Sequence, residues 1–376
     1  MKPRKLVMML CLISPSIALG QFNSGSTGAD GPLNVTSNMT LNLPTNGIFN
    51  CTTITILNGA TLSFSKNPLN TPVYLLATGD VIINGTIDVS GSASSAGPGG
   101  FDGGFGSIHG TPNGDGFGPG GGKNDPLGPG SPTMAGVFAF VSPSNGSSGG
   151  NSNIYGNTLL SPLIGGSGGG AAGGNWGGGG GGAILIASTT SITVNDTVKS
   201  TGGGGYFGSG SGGAIRIVAP TVSGTGNLSV PGGGLGSGSG YGTAGRTRID
   251  CLDRIAWRNL NLQNAGKWTV GAQMFVFPPG NPKLDIINAA GTAIPEGTNA
   301  PVVVTLPVGS STNQIVRVQA RGFTNDVSIR VKITPENAPS ATFDGTILQS
   351  SGNPPVGEVN VTIPVDVVSH IHVWTR

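Results

Sequence analysis

Charge is what this chain lacks most. Only 9% of its 376 residues are Asp, Glu, Lys or Arg, against a usual share of about 25%. Simple disorder fits poorly, because disordered chains are charged and poor in β-branched residues, and Val, Ile and Thr are plentiful here. The formal net charge of +2 leaves no electrostatic footprint for nucleic acid. Histidine and cysteine number three each, too few for a densely stapled scaffold. A Ser–His–Asp triad would have to draw on His109, His370 or His372, and no nucleophile-elbow motif accompanies them. No segment carries the 3.6-residue period and caps of a helix.

The first residues, MKPRKLVMMLCLISPSIALG, place Lys2, Arg4 and Lys5 before a short apolar run from Leu6 to Ile17. Ala18 and Gly20 stand at small-residue cleavage positions. The run is too short to span a bilayer. The expectation is a signal peptide over 1–20 and an exported protein that is secreted, cell-surface or periplasmic. No transmembrane segment is expected after cleavage.

Glycine is what the chain has in excess: 70 residues, roughly a fifth of the chain against about 7% in ordinary proteins. It lacks the three-residue period of collagen. Three segments resemble one another: VYLLATGDVIINGTIDVSG from Val73, AILIASTTSITVNDTVKSTG from Ala183 and AIRIVAPTVSGTGNLSVPG from Ala214. Each has a short apolar strand, a turn, a second strand, a polar turn and a third strand. IFNCTTITILNGATLSFS repeats the grammar earlier. Asn84-Gly85 would close a two-residue hairpin, giving a sandwich or a propeller blade. Repetition at this length favours stacked units. The reading is an all-β chain over 21–270, a right-handed parallel β-helix or solenoid whose equivalent strands stack about 4.8 Å apart.

A Gly-rich insert occupies about 92–182. A flexible spacer is one reading; packed polyglycine, the analogue of the open threefold polyproline helix, is the other. Phe101, Phe105, Phe117, Phe138, Phe140 and Trp176 interrupt the insert. A spacer has no use for such anchors, so an ordered insert is expected. The segment from Gly245 is expected to cap the solenoid, with a linker over 271–282. From Lys283 glycine falls and alternation sharpens. KLDIIN, PVVVTL, QIVRVQA, VSIRVKI, TFDGTIL, EVNVTIPV and VSHIHVW read as seven strands, an immunoglobulin-like β-sandwich over 283–376. Arg317, Arg330 and Lys332 are expected on its exposed faces.

The stretch GSGSGGAIRIVAPTVSGTGNLSVPGGG, followed by GRTRID, resembles secreted Gly-rich parallel β-helix proteins of bacterial surfaces, haemagglutinin-like and autotransporter-passenger-like adhesins. The resemblance covers roughly 33–250 and lies in composition and grammar. It implies a structural or adhesive role and supplies no catalytic residues.

Site candidates are few. GxGxxG matches within GGGLGSGSG precede no helix, and GGGKND lacks the spacing of a phosphate loop. The insert acids Asp102 and Asp115 offer oxygen ligands on Gly-permitted loops, so calcium is the one cofactor to consider. His370 and His372 alternate along one strand and are a second candidate metal pair. Export permits a disulfide between Cys51 and Cys251; the alternative is two buried thiols. Asp80, Asp88 and Asp196 form no stacked acidic face, so no catalytic residues are assigned. The function expected is binding through an extended solenoid face, with extracellular polysaccharide or cell-surface components as partners. Rows such as Thr53, Thr55, Ser191 and Thr193 would carry it. The alternative is an extracellular polysaccharide lyase or hydrolase on the same scaffold.

Overall fold

A computed structural model describes residues 22–107, 112–124, 155–206, 208–234, 242–278, 280–298 and 300–376. The expected signal peptide, His109, Phe138 and Phe140 lie outside them. The described chain is nearly all β. Its repeats become stacked rungs of parallel strands. The first rung gives β1 (Gly31–Val35) and β2 (Met39–Asn42), the next β3 (Ile48–Ile56) and β4 (Thr61–Ser65). Then follow β5 (Val73–Ala77), β6 (Val81–Ile83) and β7 (Thr86–Asp88), β8 (Ala183–Ser188), β9 (Ser191–Val194) and β10 (Thr197–Lys199), and β11 (Ala214–Val218), β12 (Thr221–Ser223) and β13 (Asn227–Ser229). β14 (Arg246–Asp250) and β15 (Lys267–Gly271) close the stack.

Three parallel faces result. The first runs β3-β5-β8-β11-β14-β15, the second β3-β6-β9-β12, and the third β2-β4-β7-β10-β13. β3 serves two faces because its first half pairs with β5 and its second with β6. Asn84-Gly85 is a corner between two faces, not a hairpin. Equivalent residues pile in register: Leu75 on Ile186, Ile186 on Ile217, and Ile217 on Ile249. The second and third faces alternate buried and half-buried residues, as sheets wet on one side do. The first face does not alternate. All six residues of β8 and all five of β11 are buried, because a second apolar cluster covers its outer side. Phe22, Leu160, Leu163 and Val276 pack there on Leu76, Leu185 and Val218. The stretch expected as a linker is thus partly a strap: Val276 is buried, and the ring of Phe277 lies 5.2 Å from that of Tyr74.

Glycine forms a layer of its own, wider than the expected insert. The segments 89–182, 200–213 and 230–245 all leave the third face and return to the first, so one corner of the stack emits them all. Within 177–182 every third N–H donates to the same neighbour. Gly177 and Gly180 donate to Gly104 and Phe101, Gly178 and Gly181 to Gly208 and Ser211, and Gly179 and Gly182 to Ala93 and Val89. Gly166 and Gly169 repeat the pattern onto Gly181 and Gly178. That is threefold polyglycine packing, with hydrogen bonds in three directions and no side chain between the backbones. A Cβ on Gly180 would stand 1.9 Å from the Gly166 carbonyl oxygen. The described parts of the insert, 92–107, 112–124 and 155–182, are packed in this layer and against the stack, and Phe101, Phe105, Phe117 and Trp176 fall within them. Phe117 is buried, and Phe105 packs edge-on against Phe117 and Trp176.

The C-terminal region packs two antiparallel sheets on one core. β16 (Lys283–Ala289), β17 (Thr292–Ala293), β18 (Asn313–Arg321) and β21 (Val356–Thr362) form one sheet, in the order β17-β16-β18-β21. β19 (Val327–Pro335), β20 (Ala341–Ile347) and β22 (Ser369–Thr375) form the other, in the order β20-β19-β22. Val316, Val318, Ile329, Val331, Val359 and Val361 meet between them. PVVVTL is not a strand: Val303 is 86% exposed and the segment pairs with no described strand. Pro301 and Pro307 remove ladder donors at both its ends.

Candidate functional site

Two surfaces gather the polar residues. The first is the contact between the outer side of the β20-β19-β22 sheet and the tip of the glycine layer. Alternation along β19 turns Ile329, Val331 and Ile333 into the core and Arg330, Lys332 and Thr334 outward. Arg330 is on the surface as expected, paired with Asp344 at 2.7 Å. Lys332 is not. It is 4% exposed, because residues 114–121 of the layer lie over it. Its ammonium donates to the carbonyl oxygens of Gly118 at 3.0 Å and Gly116 at 3.4 Å. Burial pushes Lys332 down to about 8, against the pull of Asp115.

Asp115 is fully buried beside it. One oxygen accepts from Lys123 Nζ at 2.8 Å and from the Ser340 hydroxyl and N–H at 2.6 and 2.9 Å. The other accepts from the Asn124 N–H at 2.8 Å. Burial alone would raise this carboxyl. The Lys123 charge and the donors from Lys123, Ser340 and Asn124 outweigh it and hold it below the usual carboxylate range. His370 and His372 join the same contact. Their rings stack 6.4 Å apart, His372 meets Phe101 at 5.7 Å, and His370 meets Phe117 at 4.7 Å. His372 is pushed down to about 4 by burial, with His370 and Lys332 adding to the effect.

Three of the four candidate metal ligands therefore lie at one contact, but Asp115 is filled by N–H and O–H donors and the two His are packed against aromatic rings. Asp102 stands apart, its carboxylate taken by Lys66 Nζ at 2.9 Å and the Ala96 N–H at 2.7 Å. Among the described residues no group of three or more His, Cys, Asp or Glu side chains is placed to hold a metal ion.

The second surface is the third face of the stack. One row carries Thr61, Thr86, Thr197 and Asn227, continued by the bridge from Asn227 to Asn261. The parallel row carries Thr40, Ser63, Asp88, Lys199 and Ser229. Side chains bond along the rows: Thr40 to Ser63 at 2.8 Å, Lys199 to Asp88 at 3.1 Å, and Asn261 to Asn227 at 2.7 Å. Rungs repeat about every 4.8 Å, so five of them span roughly 19 Å. On the second face Ile82 interrupts the expected row between Thr55 and Thr193. The acids of the stack are each engaged separately. Asp80 accepts from Thr190 and Ser191, which lower its carboxyl, and Asp196 accepts from Thr197.

Cys51 and Cys251 are free thiols, both in the core of the stack. Cys51 pairs with Ala77, and Ala77 with Ser188. The same register continues through Ala219 to Cys251, four rungs or about 19 Å away. A disulfide needs its Cα atoms within about 7 Å, so of the two readings the structure has the pair of buried thiols.

The sequence reading missed one buried charge cluster. Arg216, in the middle of apolar β11, lies opposite Arg248, and both share Asp250. Arg248 donates to its two oxygens at 2.8 and 2.7 Å, and Arg216 donates to one at 3.3 and 3.2 Å. The second positive charge is met by the Phe275 and Thr158 carbonyls and the Phe275 ring. An Arg inside a strand of otherwise apolar residues was the available signal. This cluster fastens the strap to the first face.

No helix among the described residues is long and apolar enough to cross a membrane. Comparison with known protein families, curated proteins and solved structures finds no match to this chain.

Proposed function

We propose that this protein is a secreted or cell-surface structural and adhesive protein: a right-handed parallel β-helix, a polyglycine layer and an immunoglobulin-like domain. The right hand follows the strong preference of parallel crossovers within one sheet. The immunoglobulin-like reading follows from two antiparallel sheets of short strands on one core. The signal-like N-terminus supports export.

The observation that carries the binding role is the double row on the third face. Hydroxyl, amide and single charged groups repeat there at one fixed interval over five rungs. Such a row offers the same donors and acceptors again and again to an extended partner. A polysaccharide chain, itself a repeat of hydroxyls, is the matching chemistry. The test is binding of the mature chain to a panel of extracellular polysaccharides, with product analysis of the same mixtures. Thr86→Val with Thr197→Val should weaken binding at least tenfold and leave the fold intact. Thr221→Val, on the second face, should leave it unchanged. Binding that ignores the third-face variant would overturn the proposal, as would release of reducing or unsaturated sugar ends.

A further inference from the structure

The contact between the glycine layer and the C-terminal sandwich is built so that one added proton has nowhere to go. The Nδ1 atom of His372 is buried without a hydrogen-bond partner, as is the hydroxyl of Thr334 one strand away. Lys332 lies directly opposite His372 on β19, and Thr334 lies opposite His370. The charged and titratable groups acting on His372 are Lys332 from β19 and His370 from its own strand, and Asp115 and Lys123 of the layer act in turn on Lys332. Arg330 on β19 is turned to Asp344, and Glu336 lies 3.6 Å from His370. The buried carboxylate of the layer, Asp115, already accepts from Lys123, Ser340 and Asn124. The face of His372 away from the sheet meets the Phe101 ring.

We propose that this contact is an acid-released clamp: the sandwich is held rigidly on the glycine layer at neutral pH and undocks when His372 is protonated. An imidazolium here would place a buried, unpaired N–H beside the Lys332 ammonium. Moving residues 101–107 and 112–124 off the sheet lets water reach it. Undocking does not require unfolding, because the stack and the sandwich have separate cores. The strap and the linker after it still join them.

The direction follows from linkage. Burial, reinforced by His370 and Lys332, pushes His372 down to about 4 when docked, while a solvated imidazole titrates near 6.5. The docked form thus binds fewer protons. Its advantage is complete above about pH 6.5 and falls as the pH drops toward 4. One such group weakens docking roughly 70-fold at pH 4.5 relative to pH 7.5.

The experiment uses the mature full-length chain. Small-angle scattering gives its maximum dimension, and hydrogen exchange, corrected for intrinsic rates, gives protection of peptides over 112–124 and 327–335. The expected result at pH 4.5 is a longer particle and at least a tenfold loss of protection in those peptides. Peptides from β8, β9 and β21 should stay protected. His372→Phe keeps a ring against Phe101 without titrating and should abolish the response. If His372→Phe fails to dock at pH 7.5, His372→Gln serves in its place. The clamp is refuted if the wild-type peptides keep their protection at pH 4.5, or if the non-titrating variant that docks responds as the wild type does.

Discussion

Replacing Gly180 with Ala tests whether the glycine layer is a packed solid. The added Cβ would meet the Gly166 carbonyl oxygen at 1.9 Å, its carbon at 2.3 Å and the Ser167 nitrogen at 2.9 Å. All three are backbone atoms, so no side chain can swing away. Overpacking in a rigid interior costs about 1–3 kcal/mol. Relief requires the two backbones to separate. That stretches the bonds from Gly180 N–H to Phe101 and from Gly166 N–H to Gly181, each contributing about 1 kcal/mol. The sum is about 3–5 kcal/mol.

Two other glycines calibrate that figure. Gly59 has open space around it but a φ of +79°, so Ala there bears only the left-handed backbone cost of about 1–2 kcal/mol. Gly234 has nothing within 4 Å and no such φ, so Ala there should change stability by less than about 0.5 kcal/mol. Urea unfolding of the three variants, with hydrogen exchange over 166–182, should rank the losses Gly180 first, Gly59 second and Gly234 last. Protection over 166–182 that survives Gly180→Ala, or a loss no larger than that of Gly59→Ala, would refute the packed layer.

Four further outcomes are expected. Asp250→Ala strands Arg216 and Arg248 in a buried site and should cost about 3–5 kcal/mol in urea unfolding. Removing the exposed Arg330–Asp344 pair should cost under about 1 kcal/mol. Ile186→Ala opens a cavity in the middle of the stacked core and should cost about 2–5 kcal/mol, again read by urea unfolding. Burial pushes the Cys51 thiol up to about 11, with Asp30 adding, and burial also raises Cys251. Both should resist a thiol reagent at pH 8 in the folded chain and react fully in denaturant without any reductant; failure to react there would reveal a disulfide.

The stack was legible because its signal is local and repeated. AILIAS and AIRIV lack alternation since both sides of the first face are covered, while SITV and TVK alternate since one side is wet. The pairs Gly181-Gly182 and Gly212-Gly213 mark where each excursion re-enters at Ala183 and Ala214. The width of the glycine layer was not legible. Its neighbours come from 89–104, 166–181 and 208–211, and glycine has no side chain to announce a partner. Lys332 was misplaced for a related reason. Alternation along β19 says which residues leave the sandwich core, not what covers the side they leave by. Asp115 and Ser340, which help cover it, are 225 positions apart.

The composition of that cover has a physical logic. Inside a polyglycine layer each segment satisfies its N–H and C=O groups on its neighbours. A segment at the margin has one side without a neighbour, so its backbone groups there must bond to something else or face water. An ordinary apolar sheet docked on such a margin would strand them. The sandwich instead presents Lys332, a long donor that reaches the Gly116 and Gly118 carbonyls. The layer offers Asp115, an acceptor for the Asn124 and Ser340 N–H groups. One buried cation and one buried anion thus finish the margin from opposite sides. Of the buried charged residues described, Asp115 and Lys332 lie where the two regions meet, while Arg216, Arg248 and Asp250 lie under the strap. The same arrangement leaves His372 beside an ammonium that the layer cannot do without, which adds to burial and to His370 in keeping its imidazole neutral.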